Sequence, residues 1–267
     1  MTLLCVGDVH GEFDRMVEIQ KELTPDFCFQ VGDLEPVRHK DDLAELTGPA
    51  QYNEIRDYPD YVNGDQSIPV ETWFIGGNHE PWSYLYEHDP GQGHDPKLVE
   101  NLNYLGRGGV KEFDSFTLAY LTGVFGESSY DESSDERLRW AKGKDWFKNK
   151  RLGHFREDEI NGLLAECEGR SVDILMTHDW PTVQHFKSYP DGMMGYGCDP
   201  LAEIAPLIEP DVHVAGHMHR LWIEEYTTAP TTFIGLGKLT SGYPGEWVLF
   251  DDDLSILEQH QKTGERG

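Results

Sequence analysis

Five short stretches of this chain put histidines, aspartates and an asparagine next to glycines: GDVHG at 7–11, GDLE at 32–35, GGNHE at 76–80, THDW at 177–180 and GHMH at 216–219. His79 and Glu80 read as a proton-handling pair, and Asn78 as a neutral oxygen ligand. On extended backbone, alternate side chains share a side, which would pair Asp8 with His10 and His217 with His219. Besides His79, the candidate donors in these stretches are two aspartates (Asp8, Asp33), one asparagine (Asn78) and four histidines (His10, His178, His217, His219). Mixed oxygen and nitrogen donors suit manganese, iron, nickel or zinc better than calcium or magnesium. Seven donors exceed the needs of one ion with open water positions, so two ions sharing a bridging carboxylate is the economical arrangement. Any one stretch alone reads as a polar turn or a helix cap. Five in order, each closing an apolar run, point to a metal site.

The elements that must bring them together are legible as alternating patterns. Residues 2–8, 26–33 and 70–77 read as buried strands, and Phe13, Met16, Val17, Ile19 and Leu23 are spaced as one helical face. Residues 38–68 are charged and aromatic, with a helix expected at 40–46 and an irregular path after Pro49. The stretch 102–125 has period-two patches broken at Gly108-Gly109 and Asp114-Ser115, which predicts a hairpin. Two more buried strands are expected at 171–178 and 211–217, each preceded by a helix, near 157–168 and 200–208. Three segments, 221–226, 231–238 and 246–252, read as successive antiparallel strands. Strand C-termini in α/β sheets converge on one edge, where distant clusters can meet. A single α/β domain over 1–267, with two sheets and flanking helices, fits this order.

Composition narrows the function further. The 267 residues are 38% hydrophobic and 12% aromatic, enough for a full core, and carry a net charge of -27; the pI is about 4.6. Such a surface disfavours broad attraction to nucleic acid or anionic membrane, so a polyanionic substrate needs a local positive field. The acidity is also what a salty cytoplasm selects. The N-terminal stretch reads as a first strand rather than a signal peptide, and no run of about 18 apolar residues is present to span a bilayer. Cys5, Cys28, Cys167 and Cys198 lack metal-motif spacing; Cys5 and Cys28 sit in apolar strands and read as reduced core residues, with a cytoplasmic location as the default expectation.

The five motifs resemble the calcineurin-like metallophosphoesterase superfamily, whose pattern is DxH, GD, GNH, a lone His and GHxH in that order. The resemblance implies a four-layer α/β/β/α sandwich, two mixed sheets flanked by helices, around a dinuclear centre. It assigns Asp8, His10, Asp33 and His219 to one metal, and Asp33, Asn78, His178 and His217 to the other, with Asp33 as the bridge. His79 would be the proton donor to the leaving group, with Glu80 orienting it. The ions implied are divalent transition metals, manganese first and iron, zinc or nickel as alternatives.

Within the superfamily the chain is most similar to the RNA lariat debranching enzymes, through HGEFD at 10–14, VGDLEPVRHKDDL at 31–43, PVETWFIGGNHE at 69–80, NYLGRGGV at 103–110 and THDWP at 177–181. Asp8 departs from the cysteine that debranching enzymes typically carry there. The expected activity is hydrolysis of phosphodiesters, in RNA (branched or short) or nucleotide diesters. A phosphomonoesterase or protein phosphatase is the alternative, and a non-catalytic scaffold of the same fold a third. A substrate-recognition insertion is expected near 127–156. Within it, residues 135–151 hold seven Lys/Arg against three acidic residues, interleaved with Trp140, Trp146 and Phe147. Arg137, Arg139, Lys142 and Lys144 could hold phosphates there, and Trp140 or Trp146 could stack on a base; a solvated amphipathic helix is the plainer reading. The acidic run at 127–136 is expected to be flexible surface.

Overall fold

The computed structural model describes residues 1–47, 54–134, 150–189 and 192–261. Two mixed sheets face each other. The first has seven strands, β1 (Leu3–Val6), β2 (Phe27–Gln30), β3 (Thr72–Phe74), β4 (Lys97–Val99), β5 (Leu102–Tyr104), β12 (Trp247–Phe250) and β13 (Ile256–Gln259), in the order β13-β12-β1-β2-β3-β5-β4. The second has six, β6 (Gly108–Glu112), β7 (Thr117–Leu121), β8 (Ile174–Thr177), β9 (Val212–Ala215), β10 (Trp222–Glu225) and β11 (Thr232–Gly235), in the order β10-β11-β9-β8-β7-β6. At the centre of the first, β1, β2, β3 and β5 run parallel. At the centre of the second, β7, β8, β9 and β11 do so.

Period-two alternation sorts side chains into layers. Leu3 and Cys5 of β1 point between the sheets, where they join Phe29, Ile75, Leu118, Ile174, Met176, Val214 and Ile234. Leu4 and Val6 point outward and pack with Phe13 and Met16 of α1 (Phe13–Leu23), Tyr58 and Tyr61 of α3 (Tyr58–Asn63) and Trp82 and Leu85 of α4 (Trp82–Tyr86). Outside the second sheet, Leu121, Leu175 and Phe233 pack with Ile160 and Leu163 of α5 (Glu157–Cys167) and Leu201 and Ile204 of α6 (Asp199–Ile208). The layers are therefore helix, sheet, sheet, helix, as the motif pattern implied.

Three details differ from the sequence reading. The helix expected at 40–46 is only the single turn α2 (Lys40–Leu43). In the hairpin of β6 and β7 only Asp114-Ser115 marks the turn, because Gly108 and Gly109 are already paired within β6. Finally, the last three segments are not successive neighbours. β10 and β11 pair antiparallel in the second sheet, but β12 crosses to the first and pairs antiparallel with β1. The four cysteines are unpaired and buried, and no helix among the described residues is long and apolar enough to cross a membrane.

Candidate metal centre

The five motifs follow the C-terminal ends of parallel strands, three from the first sheet (β1, β2, β3) and two from the second (β8, β9). That edge is where ligands gather in α/β sheets. The side chains do not reach it by strand alternation, however. The backbone has turned before the ligands arrive, and His10, Asp33, His217 and His219 all adopt positive φ, between 46° and 67°. Such conformations are costly for residues with a Cβ and mark positions the surroundings over-determine. One consequence corrects the pairing of His217 with His219: the two fall into different groups.

In the first group, one ligand atom each from Asp8, His10, Asp33 and His219 lies within 4.8 Å of the others. His219 Nε2 is 2.9 Å from Asp8 Oδ2 and 3.2 Å from His10 Nε2. In the second, Asp33, His178 and His217 meet the same limit, with His178 Nε2 3.4 Å from Asp33 Oδ1. Asn78 Oδ1 lies 3.3 Å from His178 Nε2, so it belongs to this side. Asp33 is common to both groups: Oδ2 faces His10 at 3.7 Å, while Oδ1 faces His178 and accepts the His79 backbone N–H at 2.7 Å.

The donor chemistry fits cations. His10 Nδ1 meets Glu35 Oε1 at 2.5 Å, and His178 Nδ1 meets the Val31 carbonyl at 2.8 Å. Each ring that donates Nδ1–H outward leaves its Nε2 lone pair facing the carboxylates, the arrangement in which imidazole ligates metal. Burial works against a charge on His178, yet the Asp33 carboxylate overrides it and pushes that ring up to about 10. His10 is raised too, burial being outweighed by Glu35, Asp33 and Asp8. Burial would raise the Asp33 carboxyl, but His178, His79 and His10 hold it well below the usual range. The pocket thus favours positive charge, which divalent ions would supply in place of ring protons.

Two carboxylates carry roles that the motifs alone did not reveal. Glu80, expected to orient His79, instead lies buried and accepts backbone N–H groups of Leu34, Glu35 and Gly77 at 3.0–3.1 Å. It ties the loop after β2 to the loop after β3. Burial, with the Asp33 charge, raises it to about 8 despite those three bonds. The carboxylate near His79 is Glu35, whose Oε1 is 3.9 Å from His79 Nδ1. Its acidic type two residues after the GD was the available signal. Glycines clear the space: a Cβ on Gly77 would stand 2.2 Å from Asp33 Oδ1 and 2.6 Å from His178 Nε2. On Gly32, at φ +100°, it would stand 2.4 Å from His178 Nδ1.

Arg137, Arg139, Trp140, Lys142, Lys144 and Trp146 lie outside the described residues, as does the stretch 48–53 after the first helical turns. The described flanks of the basic segment meet through side-chain contacts. Ser129 Oγ meets His154 Nδ1 at 2.8 Å, Ser134 bonds Asp158, and Arg151 pairs with Glu132.

A two-sheet α/β sandwich with two four-donor groups sharing one aspartate defines a class of dinuclear metallohydrolase. The chain belongs to the calcineurin-like phosphoesterase family, whose model matches residues 1–221. It is similar to lariat debranching enzyme A of Xenopus laevis (30% identical over 193 residues, 70% of this chain and 34% of that protein). It is also similar to the lariat debranching enzymes of Caenorhabditis elegans (29% over 184 residues, 66% and 36%) and Drosophila melanogaster (28% over 245 residues, 82% and 43%). The chain thus spans well under half the length of these relatives. In fold it resembles a Thermus thermophilus protein (TM-score 0.58, 14% identical, 97% of this chain and 98% of that one). A dimetal phosphatase from Danio rerio is similar as well (TM-score 0.52, 13% identical, 93% and 91%).

Proposed function

We propose that the chain hydrolyses phosphodiesters, in RNA or nucleotide diesters, with two divalent ions, manganese first. Asp8, His10, Asp33 and His219 hold one ion; Asp33, Asn78, His178 and His217 hold the other. The observation that carries this reading is the placement of the two Asp33 oxygens toward separate groups of donors. When bound, such ions supply Lewis acidity toward phosphoryl oxygens and toward water. The residues do the rest. Nδ1 contacts to Glu35 and Val31 fix the rings of His10 and His178. His79, partly exposed and edge-on to His10 at a centroid distance of 5.5 Å, gives its proton to the departing oxygen.

The diester preference and the RNA substrate rest on similarity to debranching enzymes and on the basic composition of 135–151. That segment serves substrate recognition in this reading. Support comes from its flank: Gly153 lies beside the backbone of Gly77 and Asn78, where an added Cβ would stand 3.4 Å from Asn78 Cα. Four buried, unpaired cysteines suit a reducing, cytoplasmic setting. Asp33→Asn tests the shared ligand. The expected outcome is loss of both ions by elemental analysis together with loss of activity on a panel of phosphoesters. Two ions retained in Asp33→Asn would overturn the bridge, and a parent preference for monoesters would overturn the diester assignment.

A further inference from the structure

At the exposed edge of the first donor group a cavity of about 520 Å³ remains without a role, lined by Met218, His219, Arg220, Leu221, Tyr243 and Pro244. His219 joins it to the centre, since its side chain is 42% exposed there while Nε2 reaches Asp8. Arg220, the next residue, is exposed. Among the described residues no ion pair or side-chain hydrogen bond engages it, although the chain has 49 acidic residues against 22 Lys/Arg. A guanidinium left open in so acidic a protein, one residue from a ligand, is placed to take a phosphate or ribose oxygen.

Tyr243 forms the opposite wall. It is 65% exposed, against 47% for Tyr196 and 39% for Tyr189. Leaving an aromatic ring in water forgoes the stabilisation of burial, and here the loop that presents it is held on several sides. Gly237 N–H donates to the Gly245 carbonyl at 2.7 Å, and Gly245 N–H to the His260 carbonyl at 2.9 Å. Thr240 N–H donates to buried Glu246 at 2.8 Å. Leu239 N–H donates to the Asp8 carbonyl at 2.9 Å, which ties the loop to the metal motif itself. Leu221 closes the far end against Gly245. Within the tip itself, Tyr243 N–H donates to Ser241 Oγ at 3.2 Å.

We infer that this cavity is a nucleoside subsite, in which Tyr243 stacks on the base and Arg220 holds the sugar–phosphate oxygens on the side of the scissile phosphate away from the leaving group. It rests on the phosphodiesterase reading and names one side of that substrate. Face-to-face stacking on an aromatic ring tolerates any base, so the subsite selects for a nucleoside without selecting its sequence.

Two chromogenic diesters with the same leaving group separate the effects: thymidine 5′-(4-nitrophenyl phosphate) and methyl 4-nitrophenyl phosphate, assayed with manganese. The kcat/KM ratio of the first to the second should fall about tenfold in Tyr243→Ala and in Arg220→Met, and stay near the parent value in Tyr243→Phe. Both side chains are exposed, so thermal midpoints should match the parent. A parent-like ratio in both Tyr243→Ala and Arg220→Met overturns the subsite and leaves the hydrolytic reading standing. A parent that cleaves neither diester overturns the hydrolytic reading, and titration calorimetry with thymidine 5′-monophosphate then decides the subsite. A dissociation constant weakened about tenfold in each variant supports it, and equal constants overturn it.

Discussion

Asp33 spends its two oxygens in different directions, and around it each charged residue has a separable job. His79 contributes its backbone N–H to Asp33, while its partly exposed ring stands beside His10 and Glu35. His79→Ala should therefore keep both ions yet lose about 10²–10⁴-fold in kcat on poor leaving groups, the usual worth of general acid catalysis. Loss on 4-nitrophenyl esters should be much smaller, and an equal loss on both would remove the proton-donor role. Glu80 makes the opposite case, a buried carboxyl, raised to about 8, that acts only through backbone. Above about pH 8, where the carboxyl is ionised and only accepts, Glu80→Gln sets an amide N–H against one of the three backbone donors, at a cost of about 1–3 kcal/mol. A lowered thermal midpoint and weaker metal retention are expected, and an unchanged midpoint would contradict the clamp. The donor types at these positions were legible from sequence because strand ends with Asp, Asn and His have few other uses in such number. The conformations were not. Extended alternation is a local rule, whereas the left-handed backbone at His10, Asp33, His217 and His219 is imposed by contacts between loops far apart in sequence.

Strands and helices show the same division. The α1 face at Phe13, Met16, Val17 and Ile19 was read correctly because burial on one side leaves a helical period. That β12 leaves β11 and crosses to β1 was not readable, since adjacent apolar segments suggest a meander and the pairing depends on the partner strand. The family match ends at residue 221, yet β11 and β12 beyond it flank β9 and β1. One buried residue ties these elements to a pH response. His213 of β9 meets Thr177 Oγ1 at the end of β8 at 2.8 Å, and Tyr226 Oη at 2.7 Å. Burial pushes its ring down to about 3, against roughly 6.5 in an unfolded chain. Between those values the unfolded state binds the extra proton, so the stability this neutral ring contributes is present above about 6.5 and is lost as pH falls toward 3. Unfolding free energy from urea titrations should thus decline by about 1.4 kcal/mol per pH unit from this ring alone. In His213→Asn that component of the slope should vanish; a parent-like slope would show that another group carries it.

Across the whole molecule, a net charge of -27 opposes any polyanionic substrate before it reaches the ions. Salt should screen that repulsion, since the Debye length shrinks to about 8–10 Å at 0.1–0.15 M. We expect kcat/KM on a short oligonucleotide to rise from about 10 to about 150 mM salt, while methyl 4-nitrophenyl phosphate, with a single charge, changes much less. A monotonic fall for the oligonucleotide would mean that local cations outweigh the global field. The pairing of β1 with β12 sets a different kind of limit, on time. Leu3 waits for Phe250, and Asp8 waits for His219. At about 5–20 residues per second on the ribosome, those gaps last on the order of ten seconds to most of a minute. Throughout that interval one edge of β1 stays open to wrong partners, and ion loading becomes a late event in the life of each new chain.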